Sequence, residues 1–418
     1  MARSETIEAA LRRIARLNPV YRAFSHLSRD AQPTARGPLQ HLAVSVKGSL
    51  PVAGLPWTEG SAIYADRVAR RDAAVVARAR AAGGVVVGTT TLSELAMYGV
   101  TNAFEPMGLN PWNVERTAGG SSTGAAVAAA LAMADVNIGS DSGGSIRNPA
   151  CHCGVVGFMP RIGALPLEGS PNHTPSLSSV GLIANRVDAV EKAFRALAEA
   201  PLPPERARRL LVPRALVESM CDEETLALFS AALQRIDLEV LEGEISGWAE
   251  GERAAGIVSL HESGQALAHI DLARAGDGIR ARAAAAAKLS GEALNKAKAD
   301  CATLRHNVAA ALHESGADAI ATPTWPFAAP LIEARTVPVK GRDIPVDPHR
   351  NCFVRAANAV DACAITVPMG LYREARVPAG LHLMASGGAE ARLLAAARAV
   401  EAALPPLPPP PPLQSLAP

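Results

Sequence analysis

From Gly124 to Ala134 the chain reads Gly-Ala-Ala-Val-Ala-Ala-Ala-Leu-Ala-Met-Ala, without one polar side chain. Ala, Leu and Met favour helix, and a helix with no polar face has to be covered on every side. A bilayer cannot be the cover, because a span needs about 20 apolar residues. The run must therefore sit inside a protein large enough to enclose a helix. With 418 residues, 49% of them hydrophobic, the chain is large and apolar enough to do so.

The flanking sequence suggests what the cover is made of. Leu42–Lys47, Val85–Val87, Val136–Ile138, Ala319–Ala321 and Ala364–Val367 are short apolar runs of the buried-strand type. Helical patterns alternate with them. One spans 4–17, with Ser4 as N-cap, Ile7, Leu11 and Ile14 on one stripe, and Asn18-Pro19 as its end. Another runs from Val68 to Ala82 and stops at Gly83-Gly84. This alternation predicts an α/β fold with a central parallel or mixed sheet flanked by helices. Residues 186–315 are more charged and mainly helical in pattern, including Ala283–Ala287, and read as a helical insertion or covering layer. Strand signals at both ends of the chain imply one domain over 1–403, with core segments 1–185 and 316–403. The tail 404–418, with prolines at 408–412, reads as polyproline II or disordered.

Charge excludes several roles. Lys plus Arg number 41 against 40 Asp plus Glu, a net of +1, with no basic stripe for nucleic acid or an anionic membrane. Met1-Ala-Arg-Ser-Glu-Thr-Ile-Glu8 lacks the apolar stretch of a secretion signal, so a soluble cytoplasmic protein is expected. Cysteines 151, 153, 221, 301, 352 and 363 show no CxxC spacing, and Cys151-His152-Cys153 is too tight for a usual zinc site. Buried reduced thiols, no metal and no cofactor are the expectation. Homodimerisation is left open.

Two clusters rich in Gly and Ser flank the apolar helix: Gly119-Gly-Ser-Ser-Thr-Gly124 and Gly139-Ser-Asp-Ser-Gly-Gly-Ser-Ile-Arg147. Such clusters can turn several backbone N–H groups toward one oxyanion. A nucleotide loop would need a Lys after the glycines, and neither cluster has one. Gly120–Gly124 also matches GxSxG, centred on Ser122, but that elbow requires a strand directly before it. Residues 110–117 read as loop, and the late histidines His349 and His382 sit in ordinary settings. A serine nucleophile would therefore need another base. Only 6 of the 41 cationic residues are Lys, the type whose proton can be lost near neutrality. Lys47 alone among them ends an apolar strand, where desolvation lowers its pKa. Taken singly, a strand-end lysine simply extends its head to water.

The combination resembles the amidase signature family. Lys47-Gly-Ser-Leu-Pro51, GGSS 72 residues after Lys47, and GGSIR 24 residues beyond that carry the likeness. Gly88-Thr-Thr-Thr-Leu-Ser-Glu-Leu-Ala-Met97, Asn110-Pro-Trp112, Pro149-Ala-Cys-His-Cys-Gly154, Thr322-Pro-Thr324 and Val377-Pro-Ala-Gly-Leu381 extend it. The resemblance implies an amidase-type fold and an enzyme that cleaves the C–N bond of a small carboxamide. Its implied site has Ser145 as nucleophile, Ser121 as a bridging serine in a cis peptide, and Lys47 as base. It further implies an oxyanion hole from the N–H groups of Ser142, Gly143, Gly144 and Ser145. Gly120, Ser122 and Arg147 would support the loops, Arg147 as a brace rather than a substrate contact. Ala96, Met97 and Tyr98 would contribute to the acyl pocket.

Some positions depart from the family pattern: Gly48 for Asp, Thr123 for Gly, Ser142 for Thr, Met159 for Lys and Ser178 for Asp. None removes a group of the implied triad. Gly48 is expected to shift the pH optimum slightly. Two alternatives stand beside the free-standing amidase: the glutaminase subunit of a tRNA-dependent amidotransferase, and a catalytically silent scaffold. The scaffold would be expected to lack Lys47, Ser121 or Ser145, and this chain has all three.

Overall fold

The strand signals condense into one sheet. The computed structural model describes residues 5–97, 102–349 and 351–415. Its strands are, in chain order, β1 (Phe24–Leu27), β2 (Ala43–Lys47), β3 (Val85–Thr90), β4 (Val136–Asp141), β5 (Val156–Met159), β6 (Ser179–Ala184), β7 (Arg209–Val212), β8 (Glu239–Glu242), β9 (Ala319–Pro323), β10 (Thr336–Val339), β11 (Arg342–Pro345), β12 (Cys363–Leu371) and β13 (Pro378–Ala385). Among the described residues, 11 strands share one sheet in the order β1-β3-β2-β4-β6-β5-β12-β13-β9-β7-β8, and β10 pairs with β11 as a separate hairpin. β2 is parallel to β3 and β4, and β7 is parallel to β8 and β9. The other pairs in the sheet are antiparallel. The sheet is mixed, as the alternating pattern implied, and segments from both ends of the chain build it.

Strand alternation sorts the core. Val44, Val46 and Val86 face a cluster with helices Ala74–Ala81, Val187–Leu197 and Glu390–Ala403. Ala43, Val85 and Val87 face the opposite cluster, with helices Glu5–Tyr21 and Thr123–Ala130. Every residue of Thr123–Ala130 is buried, so the polar-free helix is enclosed on all sides. It ends earlier than its composition suggests. Ala132 takes a φ of +48°, and Met133 N–H turns back to the Ala128 carbonyl.

Other boundaries also moved. The first helix runs through Pro19 to Tyr21; its expected cap, Ser4, lies outside the described residues. The second helix begins only at Ala74. Before it, Ala69 N–H bonds the Leu55 carbonyl and Trp57 N–H that of Arg67, so 55–69 folds as a ladder-like loop. Residues 186–315 do cover the sheet with helices Trp248–Leu267, Asp277–Ala287 and Gly291–Ser315. They also add β7 and β8, which the pattern hid because Arg209, Glu239 and Glu242 place charges on short strands at the sheet edge.

The tail requires a correction. In place of a disordered run, Pro411–Gln414 forms a short helix, Pro412 is buried, and Leu413 packs against the cluster around the first helix. Proline brings no backbone N–H that burial would leave unpaired, so apolar Leu413 can draw its neighbours onto the body.

Candidate active site

β2 lies between two parallel neighbours, so its last residue emerges from the middle of the sheet rather than at an edge. That residue is Lys47, fully buried. Its Nζ lies 2.7 Å from Ser121 Oγ and donates to Ser140 at the carbonyl oxygen (3.2 Å) and at Oγ (3.0 Å). Burial disfavours the ammonium and lowers the Lys47 pKa to about 7, against an opposing pull from Asp141. A free amine is therefore accessible near neutral pH.

The first cluster delivers Ser121. The peptide between Gly120 and Ser121 is cis. Gly119 has a φ of +78°, and a Cβ there would come within 2.7 Å of Pro149 Cα, so glycine is needed for both conformation and space. Ser122 joins the two clusters, donating its N–H to the Ser145 carbonyl (3.0 Å) and its hydroxyl to the Ser140 carbonyl (3.3 Å). Thr123 donates to the Gly119 carbonyl at 2.6 Å.

Ser145 sits between β4 and helix Arg147–Cys153 and lines the same cavity as Ser121. The loop before it is organised by Asp141, which sequence reasoning did not single out. Its carboxylate accepts from Gly143 N–H (3.1 Å), Gly144 N–H (2.7 Å) and Ile146 N–H (3.0 Å), and pairs with Arg147 at 2.9 Å. Burial pushes the Asp141 carboxyl up, but the Arg147 guanidinium and these N–H groups outweigh it and hold it well below the usual carboxylate range. Two of the four expected oxyanion donors, Gly143 and Gly144, are thus turned onto Asp141, whereas Ser142 and Ser145 carry no such bond. The acid was visible in the cluster. Its backward fold under the loop was not.

Arg147 is a brace. It is wholly buried and reaches the Val354 carbonyl (2.7 Å), Asn358 Oδ1 (2.8 Å) and His382 Nε2 (3.0 Å), which ties the loop to the C-terminal part of the chain. His382, set aside in the sequence, belongs to this bracing network, and burial with Arg147 beside it drives its pKa well down.

The family departures find partners. Ser142 Oγ and Ser178 Oγ lie 2.7 Å apart, and Thr174 Oγ1 is 2.8 Å from Ser178, so two departures form one hydroxyl chain. Met159 Sδ faces Arg147 and Asn358 at 3.3 and 3.2 Å, where a lysine would face a guanidinium. A Cβ on Gly48 would lie 3.0 Å from both the Thr90 carbonyl oxygen and Leu92, which leaves little room for a side chain.

The cavity measures about 910 Å³. Ser121, Ser142, Gly143 and Ser145 form its floor; Ala96 and Met97 join one wall, and His173, Arg282 and Arg335 others. Tyr98 lies outside the described residues. Among the described residues, no group of three His, Cys, Asp or Glu is placed to hold a metal, and no helix is long and apolar enough to cross a membrane. Burial pushes the Cys151 thiol up to about 12 and the His152 ring down to about 3.

The amidase family model matches residues 5–208 and 272–394. The chain belongs to the amidase signature family. The A-type subunit of glutamyl-tRNA(Gln) amidotransferase from Anaeromyxobacter sp. is 30% identical across 97% of this chain and 93% of its own length. Its counterpart in Thermus thermophilus is 31% identical across 96% and 93%. A solved amidase superposes with a TM-score of 0.89 at 25% identity, covering 96% of each chain. The Thermotoga maritima counterpart of the amidotransferase relatives, also a solved structure, superposes with a TM-score of 0.84 at 26% identity, covering 97% of this chain and 94% of the other. As a member of this amidase signature family, the chain is an amide hydrolase. The silent-scaffold alternative has no support.

Proposed function

We propose that the chain hydrolyses a primary carboxamide through an acyl-Ser145 intermediate, with the side-chain amide of glutamine as the leading substrate. The observation that carries the chemistry is the 2.7 Å approach of buried Lys47 Nζ to Ser121 Oγ, in the cavity that Ser145 lines. Neutral Lys47 takes the proton of Ser121, which takes that of Ser145 as Ser145 Oγ attacks the carbonyl carbon. The proton returns through Ser121 to the departing nitrogen, ammonia leaves, and water cleaves the ester by the reverse relay. The N–H groups of Ser142 and Ser145 receive the oxyanion, and Asp141 keeps the loop in shape for them.

Glutamine is favoured over the free-standing small-amide reading by the relatives named above, which are glutamyl-tRNA(Gln) amidotransferase chains similar over nearly their whole length. Arg282 and Arg335 in the cavity wall supply guanidinium groups suited to a substrate carboxylate. The second reading, a free-standing amidase acting on another small carboxamide, is supported by the solved amidase. Fluorophosphonate labelling that disappears in Ser145→Ala, with ammonia release measured from glutamine and from simple amides, tests both. A folded wild-type chain that neither labels nor releases ammonia from any amide overturns the proposal.

A further inference from the structure

One wall of the cavity holds an imidazole that the Lys47–Ser121–Ser145 relay does not use. His173 Nε2 lies 3.0 Å from Glu59 Oε2, and Glu59 is only 1% exposed. The other Glu59 oxygen accepts from Arg67 Nη2. That guanidinium is itself held between the rings of Trp57 and Tyr64, 3.7 and 3.8 Å from their centroids, and Arg67 Nε donates to the Trp57 carbonyl at 2.7 Å. An almost wholly buried carboxylate persists only when paired and hydrogen-bonded. Here its two partners are a clamped arginine and one cavity-lining histidine.

A carboxylate can only accept, so Nε2 carries the proton. In the neutral ring Nδ1 is then the lone-pair atom. Nδ1 has no protein partner among the described residues, and His173 lines the cavity. Its neighbours in that wall, Thr174 and Ser178, are neutral hydroxyls bonded to each other. The Arg67–Glu59 pair thus fixes one tautomer and leaves an acceptor at the cavity wall.

We infer that His173, oriented by Glu59, is a recognition residue for substrate amides that carry an additional N–H donor, an ammonium or amino group separate from the scissile amide. This rests on the hydrolase reading above. His173 contacts substrate in this account, whereas Glu59 is a positioning residue.

The test compares kcat/KM within two substrate pairs: glutamine against 4-carbamoylbutanoate, and 4-aminobutanamide against butanamide. Losing one charge-assisted hydrogen bond corresponds to a preference of about tenfold or more for the amino-bearing member of whichever pair is turned over. That ratio should fall toward one in His173→Ala and drop severalfold in Glu59→Gln. His173→Gln, which can donate to Glu59 through Nε2 and still offer Oε1, should keep part of it and guards against an Ala variant that does not fold. A ratio unchanged in His173→Ala, or both members of a pair falling equally in every variant, overturns the inference and leaves His173 a loop clasp. Wild-type protein that labels with fluorophosphonate yet shows no preference within a pair also overturns it, with the hydrolase reading intact. Absence of labelling overturns both.

Discussion

The floor and the outer wall of the cavity are built on opposite plans. The floor consists of turns whose backbone groups are pinned by buried side chains: Asp141 under the 142–146 loop, Ser122 across to Ser145, and Lys47 from mid-sheet. The outer wall comes from segments distant in sequence, including helix Asp277–Ala287 and the stretch around Leu331 and Arg335, both exposed residues. Buried polar groups in the floor have no water to fall back on, so a lost partner is felt in full. On the wall, water replaces what a substitution removes. Chemistry should therefore be brittle at the floor and selectivity adjustable at the wall.

The sharpest way to break this contrast is at the nucleophile. Ser145→Ala should lower kcat by about ten-thousandfold or more, with little change in thermal stability. An Ala variant retaining a tenth of wild-type turnover would remove the floor's assigned role.

Lys47→Met should lower kcat by about a thousandfold. The wild-type rate should rise with pH through about 7, as Lys47 loses its proton, and this limb should vanish in the variant. Stability carries the matching sign. The folded pKa of about 7 lies below the ordinary lysine value of 10.5. Between those two values the unfolded chain binds more protons, so stability from this group rises with pH across that window and is flat below it. In urea melts, the stability of Lys47→Met relative to wild type should be greatest at or below pH 7 and decline toward pH 10.

Asp141→Asn leaves the buried Arg147 short of its ion partner and should cost about 3–5 kcal/mol of stability, measured by urea unfolding. A loss near zero would mean that Arg147 is held by Val354, Asn358 and His382 alone.

Gly48→Asp restores the family's carboxylate beside Lys47 but drives a Cβ toward the Thr90 carbonyl. It should cost about 2 kcal/mol. A melting curve matching wild type would show that the backbone there yields.

Removing residues 405–418 should cost about 1 kcal/mol, from the small apolar area Pro412 and Leu413 bury, without changing kcat. A large loss of activity would tie the tail to the site.

Much of the floor was legible because its residues cluster in sequence. Gly119–Gly124 and Gly139–Arg147 announce tight turns by composition alone, and six lysines make Lys47 conspicuous. Asp141 escaped notice, although it stands inside a quoted motif, because sequence cannot distinguish a carboxylate facing substrate from one folded back onto its own backbone. Ser140 escaped as a Lys47 partner because that contact crosses between strands. Pairings such as Glu59–His173 and Arg147–Asn358 join residues 114 and 211 positions apart, and no local pattern encodes them.

Sequence alone determined that a helix without a polar face must be enclosed, that short apolar strands would do the enclosing, and that a desolvated lysine would stand near two glycine-rich turns. Those statements follow from periodicity, composition and backbone sterics, which act over a few residues. Only the tertiary structure decided which N–H groups the Asp141 carboxylate takes, that the proline-rich tail packs onto the body, and that the polar-looking middle of the chain supplies two strands. Each of those outcomes depends on whether distant apolar surface and hydrogen-bond partners meet, and only the folded chain brings them together.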